Sequence, residues 1–348
     1  LHSGTEESRL AALKYLGFSV LGAALALLGF FFFAGYAEGT AFVPGGAGLQ
    51  PGQEGLLTAA YFLTVLGFGC KAGLVPLQAW LTEAHPVAPS PASAVLSGVI
   101  TKGGILAVIR VTFYLFGADF VRGTWAQELL LILSLVTVFT GSMLALRTRG
   151  LKQRLAYSTI SQVSYVLFGL LLLNREGFTG ALLQVVFHAL AKDALFLAAG
   201  AIISATGISQ IRASRSLLAA DLLRGVGRRM PVTLWCFAIG AFSLFGLPLT
   251  GGFVSKWHLA MGALMTQGWL GLAGTAVLLI SALLTAFYLF PVITQGFFPG
   301  HEAPVEDRCE VGARMLIPML VLCGLAVVLG IFPGGLTQWL QALAGGLL

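Results

Sequence analysis

Long apolar segments separated by short polar breaks fill this sequence from end to end. Each is close to the roughly 20 mostly apolar residues that an α-helix needs to cross a bilayer. We predict nine spans, at residues 10–34, 55–82, 90–116, 125–146, 152–173, 178–204, 231–264, 269–298 and 314–333. The pattern indicates an all-α, polytopic membrane helix bundle, and the tail after Pro333 is expected to lie at the membrane interface.

Two of the predicted spans contain helix-breaking residues near their centres. The second span reads FGCKAGLVPLQAWL and the seventh reads FSLFGLPLTGGFVSKW. Proline removes a backbone donor, and an interrupted helix persists in a membrane only where protein or a water-filled cavity satisfies the freed groups. Two breaks in matching positions are typical of transporters built from inverted repeats. The residues that define the breaks are Gly73, Pro76, Gly246, Pro248, Gly251 and Gly252.

Composition supports a membrane protein and narrows its chemistry. Of the 348 residues, 57% are apolar and 10% are charged, against about 25% charged in soluble domains. The net charge of +6 is spread over short loops and spans, which argues against a nucleic-acid partner. The four cysteines show neither CxxC pairing nor metal-ligand spacing, so we expect no metal site and no disulfide framework. We find no cofactor motif.

The basic residues outside the spans predict the orientation of the chain. Lys and Arg are enriched in cytoplasmic loops, and the loops after spans four and six are the basic ones. We therefore place both loops in the cytoplasm and the C-terminus outside. The residues concerned are Arg147, Arg149, Lys152, Arg154, Arg212, Arg215, Arg224, Arg228 and Arg229.

Four of the six lysines, Lys71, Lys102, Lys192 and Lys256, lie inside apolar spans. A lysine at the bilayer centre costs about 2.5–3.5 kcal/mol, so four facing lipid would cost about 10–14 kcal/mol. We expect them to face inward, towards water or partners. One such lysine alone could instead extend to the interface, but Lys71 and Lys256 lie beside the helix breaks. A desolvated lysine can release its proton, whereas arginine cannot, so the set predicts a proton relay.

The sixth span carries a second proton-exchanging group. His188 and Lys192 are four residues apart and share a helix face. The alternative for His188 is a packed side chain bonded to a backbone carbonyl. Asp193, rotated by about 100°, is the only carboxylate deep inside a span. We expect it to modulate or pair with a Lys or Arg of another helix, or with a partner subunit.

Other polar residues have two readings each. The stripe Ser158, Ser161, Gln162 and Tyr165 predicts either a water-filled entry path or interhelical hydrogen bonds. Glu83 and His85, in the turn after span two, predict either a cytoplasmic gate or a solvated turn. Arg110, eight residues after Lys102, is expected to form an ion pair or to bind lipid headgroups, since it cannot carry protons.

Several segments resemble one known family. KAGLVPLQAWLTEAHPVAPSPASAVLSGVITKGGILAVIR, LKQRLAYSTISQVSYV, HALAKDALFLAAG and GLPLTGGFVSKW are similar to signatures of the proton-conducting membrane subunits. These are the antiporter-like subunits of respiratory complex I, related subunits of membrane-bound hydrogenases, and large subunits of multisubunit Na⁺/H⁺ antiporters. The resemblance covers essentially the whole chain.

The resemblance implies a fourteen-helix fold with two inverted five-helix repeats, in which span one matches the sixth helix. It implies that Lys71 is the lysine of the first broken helix, Lys102 the next relay lysine, His188 with Lys192 the following station, and Lys256 the terminal lysine. The family's fifth helix carries a glutamate that pairs with the first of these lysines, and no span here matches it. We therefore expect five helices to precede this sequence.

The resemblance also implies an organisation and a function. Residues 1–117 would end the first repeat, residues 118–300 would form the second, and residues 301–348 the final span and tail. The chain would be a multi-pass, proton-translocating subunit in a bacterial or archaeal inner membrane, associated with other membrane subunits and performing no redox chemistry itself. The alternatives are a Na⁺/H⁺ antiporter subunit and a structural scaffold without transport.

Overall fold

The protein is described by a computed structural model that covers residues 4–39, 41–211, 221–299 and 307–348. Arg212 and Arg215 lie outside the described residues. Apart from isolated bridges, the described chain is helical. Its principal helices are α1 (Glu6–Tyr36), α2 (Glu54–Ala72), α3 (Ala79–Val87), α4 (Ser90–Phe116), α5 (Trp125–Arg147), α6 (Leu151–Leu171), α7 (Arg175–Thr206), α8 (Pro231–Phe245), α9 (Gly251–Met265), α10 (Trp269–Phe297), α11 (Ala313–Ile331) and α12 (Gly334–Gly345).

Seven of these helices are long and apolar enough to cross a membrane: α1, α2, α4, α5, α7, α10 and α11. The predicted all-α, multi-pass membrane architecture is therefore confirmed. The prediction of nine spans is reached only when two further segments are counted. One is α6, whose 21 residues include the polar stripe, and the other is the broken pair α8 and α9, each of 15 residues.

The first helix break separates α2 from α3. Gly73 ends α2 in a left-handed conformation with φ of 87°, which glycine adopts without strain. Across the break, the indole N–H of Trp80 donates to the carbonyl of Cys70 at 3.0 Å. The chain after the break is helical through Val87. Our assignment of Glu83 and His85 to a turn was therefore wrong, because the second half of the broken helix includes both.

The second break separates α8 from α9 and is set by Pro248. In a continuous helix the carbonyl of Leu244 would accept from the N–H of residue 248, but proline has none. Gly246 turns the chain with φ of 82°, and α9 begins at Gly251. The break therefore leaves the Leu244 carbonyl available to a side chain.

The two halves of this broken helix touch at Gly252. A Cβ at this position would overlap the carbonyl oxygen of Ser243, and a backbone atom has little freedom to move. We expect Gly252→Ala to destabilise the chain by about 1–3 kcal/mol or more and to lower its amount in the membrane. Immunoblotting of membranes checks this, with Gly103→Ala as the control because a Cβ there meets no atom within 4 Å. Equal amounts of both variants would contradict the packing argument.

Helix α7 is the centre of the bundle. It packs against α4, α6, α8, α9, α11 and α12. Many side chains of its middle turns are consequently buried, including Gln184, His188 and Lys192, and the others are half-buried. Helix α12 covers the α7 side chains Leu183 and Phe187 through the buried Leu340. This surrounding layer of helices allows α7 to hold titratable groups away from lipid.

Candidate functional site

A lysine and a histidine from two helices make direct contact at the middle of the bundle. The ammonium of Lys102 on α4 lies 2.7 Å from Nδ1 of His188 on α7, and it also donates to the carbonyl of Ser97 at 2.5 Å. Residues Leu96–Ile100 form a π-helical turn, a feature frequent at functional sites. The wide turn changes the backbone pairing beside Lys102 and brings the Ser97 carbonyl within its reach.

Lys192 follows His188 by one turn and is completely buried, with 0% exposure. Its ammonium donates to the carbonyl of Leu155 at 2.9 Å and lies 5.9 Å above the ring of Phe196. Within the described ranges, no carboxylate lies within ion-pair distance of it. A buried ammonium held only by neutral groups is costly in its charged form, so this site favours proton release.

Lys256 occupies the position created by the second break. Its ammonium donates to the freed carbonyl of Leu244 and lies 5.6 Å above the ring of Tyr165. Ser255, the residue before Lys256, hydrogen-bonds to Gln184 at 2.6 Å, and Gln184 lies one turn before His188 on α7. The structure therefore brings together three of the four predicted lysines and the predicted histidine.

Lys71 is placed differently from the other three. Its side chain is exposed at the surface of the described bundle, beside a cavity of about 200 Å³ that is lined by Tyr15, Gly22 and Trp80. Its ammonium makes no hydrogen bond to any residue that the structure describes. Lys71 is thus not enclosed by the described helices, unlike the other three lysines. The expectation that it faces water or a partner stays a prediction.

Asp193 lies against the other side of the π-helical turn. Its carboxylate packs so closely on Gly98 that a Cβ there would overlap it. One carboxylate oxygen, Oδ1, is buried and has no hydrogen-bond partner among the described residues. Asp193 and Lys102 interact electrostatically, although no salt bridge within 4.0 Å joins them in the described structure.

All four members of the polar stripe on α6 form interhelical hydrogen bonds, and Gln162 alone also has a side-chain nitrogen without a described partner. Gln162 accepts from the amide of Gln184 at 2.8 Å, and its own Nε2 has no partner among the described residues. The geometry of the stripe favours our interhelical alternative for all four residues. The hydroxyl contacts are Ser158 with Tyr288 at 2.7 Å, Ser161 with Ser142 at 2.8 Å, and Tyr165 with the Leu278 carbonyl at 3.0 Å.

Of the remaining predicted residues, Glu83 and Arg110 lie at the exposed surface, whereas His85 shares the Phe196 ring with Lys192. Glu83 forms a 2.5 Å ion pair with Lys14, and both side chains are substantially exposed. His85 is buried and stacks on Phe196 with ring centroids 4.5 Å apart. Arg110 is exposed and lies 5.5 Å above the ring of Phe42, and no described carboxylate pairs with it.

Two buried polar positions were missed in the sequence. Gln184 precedes His188 by one helical turn, so the row Gln184, His188 and Lys192 at intervals of four residues could have revealed it. Arg154 was assigned to a cytoplasmic loop, but it is buried inside α6. It donates to the carbonyls of Tyr288 at 2.7 Å and Thr148 at 2.8 Å. The distribution of charge in the loops predicted neither the position of Gln184 nor the burial of Arg154.

Buried titratable side chains beside a broken helix, within a bundle of membrane-spanning helices, define a class of multi-pass membrane proteins. The sequence matches the model of the family described as "NADH:quinone oxidoreductase/Mrp antiporter, TM" over residues 1–285. The chain therefore belongs to this family, which confirms the resemblance.

Individual relatives agree with this assignment. The chain is 34% identical over 344 residues to NADH-quinone oxidoreductase subunit N of Desulforudis audaxviator, covering 94% of this chain and 66% of the relative. It is 31% identical over 280 residues to the D subunit of a Na⁺/H⁺ antiporter from Alkalihalophilus pseudofirmus, covering 80% and 53%. A solved structure of the Mrp complex from a Dietzia species matches with a TM-score of 0.83 at 22% identity, covering 99% of this chain and 69% of that one. The chain thus spans about two thirds or less of these curated relatives.

Proposed function

We propose that this chain is a proton-translocating membrane subunit that passes H⁺ sideways through the bundle along Lys102, His188, Lys192 and Lys256. The observation that carries the proposal is the 2.7 Å contact between Lys102 and His188, with Lys192 one turn away and fully buried. Each of these groups can exchange a proton, and burial penalises the charged form of each. Their alignment supports transfer between them when a neighbouring charge changes.

Lys71 would be the entry station of this row. Its exposed ammonium on the open face of the bundle is suited to a partner of opposite charge, which the family resemblance implies to be a glutamate. The matching breaks support two inverted repeats, with residues 1–117 ending the first and 118–300 forming the second. The basic loops would face the cytoplasm, the C-terminus would be external, and protons would leave from Lys256.

The partners would be other membrane subunits of a multisubunit complex. The relatives named above are themselves subunits, and the solved structure is of a complex. Helices α1 and α11 present mostly exposed apolar side chains. In the apolar stretch of each helix, only 22% of the residues are buried. Lipid or partner helices would cover these faces. A scaffold without transport is less well supported, because an apolar scaffold has no use for unpaired buried lysines.

A Na⁺/H⁺ antiporter subunit is the second candidate, and Asp193 is the observation that favours it. Na⁺ needs oxygen ligands, and Asp193 Oδ1 is a buried carboxylate oxygen without a partner in the described structure. Its neighbour Lys102, however, is a competing cation. We therefore retain H⁺ as the transported ion.

Inverted membrane vesicles from the native host test this proposal. A dye that reports acidification of the lumen would be followed after adding NADH, reduced ferredoxin or H₂ in separate arms, with and without Na⁺. Vesicles from a strain that lacks only this chain are the control. We expect proton uptake that needs the chain and proceeds without Na⁺. Uptake that is the same without the chain would contradict proton transport, and a strict requirement for Na⁺ would favour the antiporter.

A further inference from the structure

A chain of uncharged polar side chains connects the His188 position to the helix that carries Lys256. The amide of Gln184 on α7 donates to Gln162 Oε1 on α6 at 2.8 Å. Its oxygen accepts from the hydroxyl of Ser255 on α9 at 2.6 Å. Ser255 directly precedes Lys256, and Gln184 is one turn from His188. We call Gln162, Gln184 and Ser255 the Gln184 bridge.

Two buried nitrogen atoms around the Gln184 bridge have no partner among the described residues: Nε2 of Gln162 and Nε2 of His188. Leaving a buried polar group unpaired is costly. Gln162 contacts Gln184 directly, and His188 follows Gln184 by one turn on the same face of α7. Buried water commonly satisfies such groups when at least two are within reach.

We propose that the Gln184 bridge holds the water that carries a proton between His188 and Lys256, and that Gln184 is its positioning residue. This inference rests on the proposed function and adds the route from the station formed by His188 and Lys192 to Lys256. An amide has no titrating group at neutral pH, so Gln184 orders the water and does not itself carry the proton. Each transfer is a proton passed along hydrogen bonds: water accepts one proton from the donor side and gives another to the acceptor side.

The chain also contains a cluster that serves as a comparison. Ser142, Ser161 and Ser281 are hydrogen-bonded to one another at 2.6–3.2 Å and are equally buried. Each of these hydroxyls already has protein partners, and no hydrogen bond in the described structure joins the cluster to Gln184, Ser255 or a lysine of the row. Loss of one of its hydroxyls tests the cost of removing a buried hydrogen bond without touching the proposed route.

The test uses the intact complex in the vesicle assay described above. Gln184→Met keeps the side-chain size and removes both hydrogen bonds, and Ser255→Ala removes the far end of the bridge. Ser142→Ala is the matched control. We expect a loss of about tenfold or more for Gln184→Met, a smaller loss for Ser255→Ala, and a rate within about twofold of wild type for Ser142→Ala. The solvent isotope effect in D₂O should rise in the two bridge variants only.

Native gel electrophoresis establishes that each variant is assembled. If Gln184→Met fails to assemble, Ser255→Ala and its isotope effect decide the question. Wild-type rates in the assembled bridge variants, or an equal loss in Ser142→Ala, would overturn the inference. Lys256→Met distinguishes failure of this inference from failure of the proposed function. If Lys256→Met pumps at the wild-type rate, both the proposed function and the inference are contradicted. If Lys256→Met does not pump and the bridge variants do, only the inference is contradicted.

Discussion

Replacing Lys256 with Met should stop proton translocation by the intact complex, with a loss of about tenfold or more. Lys256 donates to the Leu244 carbonyl that Pro248 leaves free, and Met offers no proton there. Lys256→Arg should fail as well, because guanidinium keeps its charge but does not deprotonate. Lumen acidification in inverted vesicles, normalised to the amount of assembled complex, measures both effects.

The control for this prediction is Lys14→Met. Lys14 forms an exposed ion pair with Glu83, and such pairs contribute about 0–1 kcal/mol. We expect this variant to assemble and to pump at the wild-type rate. If Lys256→Arg also pumped at the wild-type rate, the positive charge and not proton exchange would be the required property, and the relay would be contradicted.

Lys102 and His188 should behave as one unit when they are replaced singly and together. Their nitrogen atoms are 2.7 Å apart, so removing either one interrupts the same transfer. We expect Lys102→Met and His188→Leu each to reduce translocation by about tenfold or more, and the double variant to be no worse than the more affected single variant.

The same vesicle assay and a double-mutant cycle measure this coupling. Local structure should survive Lys102→Met, because the hydroxyl of Thr101 also donates to the Ser97 carbonyl at 2.9 Å. Losses that multiply in the double variant would show two independent sites. That result would remove the central contact from the proposed route.

The architecture was predictable because its signals are local in the sequence. Apolar runs of about 20 residues define spans, and a proline four residues after a carbonyl removes that carbonyl's partner wherever it occurs. The break at Pro248 could therefore be located without knowledge of packing. The second half of the first broken helix was predicted too short. The predicted span ends at residue 82 because Glu83 and His85 resemble a turn, whereas the helix continues to Val87 and His85 is buried against Phe196.

The candidate site was predictable in part. The shared face of His188 and Lys192 follows from helical periodicity alone. Their contact with Lys102 does not, because it requires the π-helical turn at Leu96–Ile100 and the packing of α4 on α7. Gln184 lacks a charge that would have drawn attention to it, although it completes the same periodic row.

The sequence also predicts whether a charged residue lies within a membrane span better than it predicts which face of the helix carries that residue. Lys71 and Lys192 both lie within apolar runs, yet Lys71 faces the open side of α2 and Lys192 is fully buried. Arg154 is the opposite case: it was assigned to a basic loop, but its side chain is buried inside the bundle. Its partners are the carbonyls of Thr148 and Tyr288, and Tyr288 belongs to a helix distant in sequence.

A cryo-EM map of the intact complex in lipid, resolved well enough to show ordered water, tests the central claim most directly. The account predicts water at about 2.7–3.2 Å from Nε2 of His188, and a continuous hydrated route that reaches Lys192 on one side and Lys256 on the other. Apolar side chains packed between these groups, with no ordered water joining them, would contradict it.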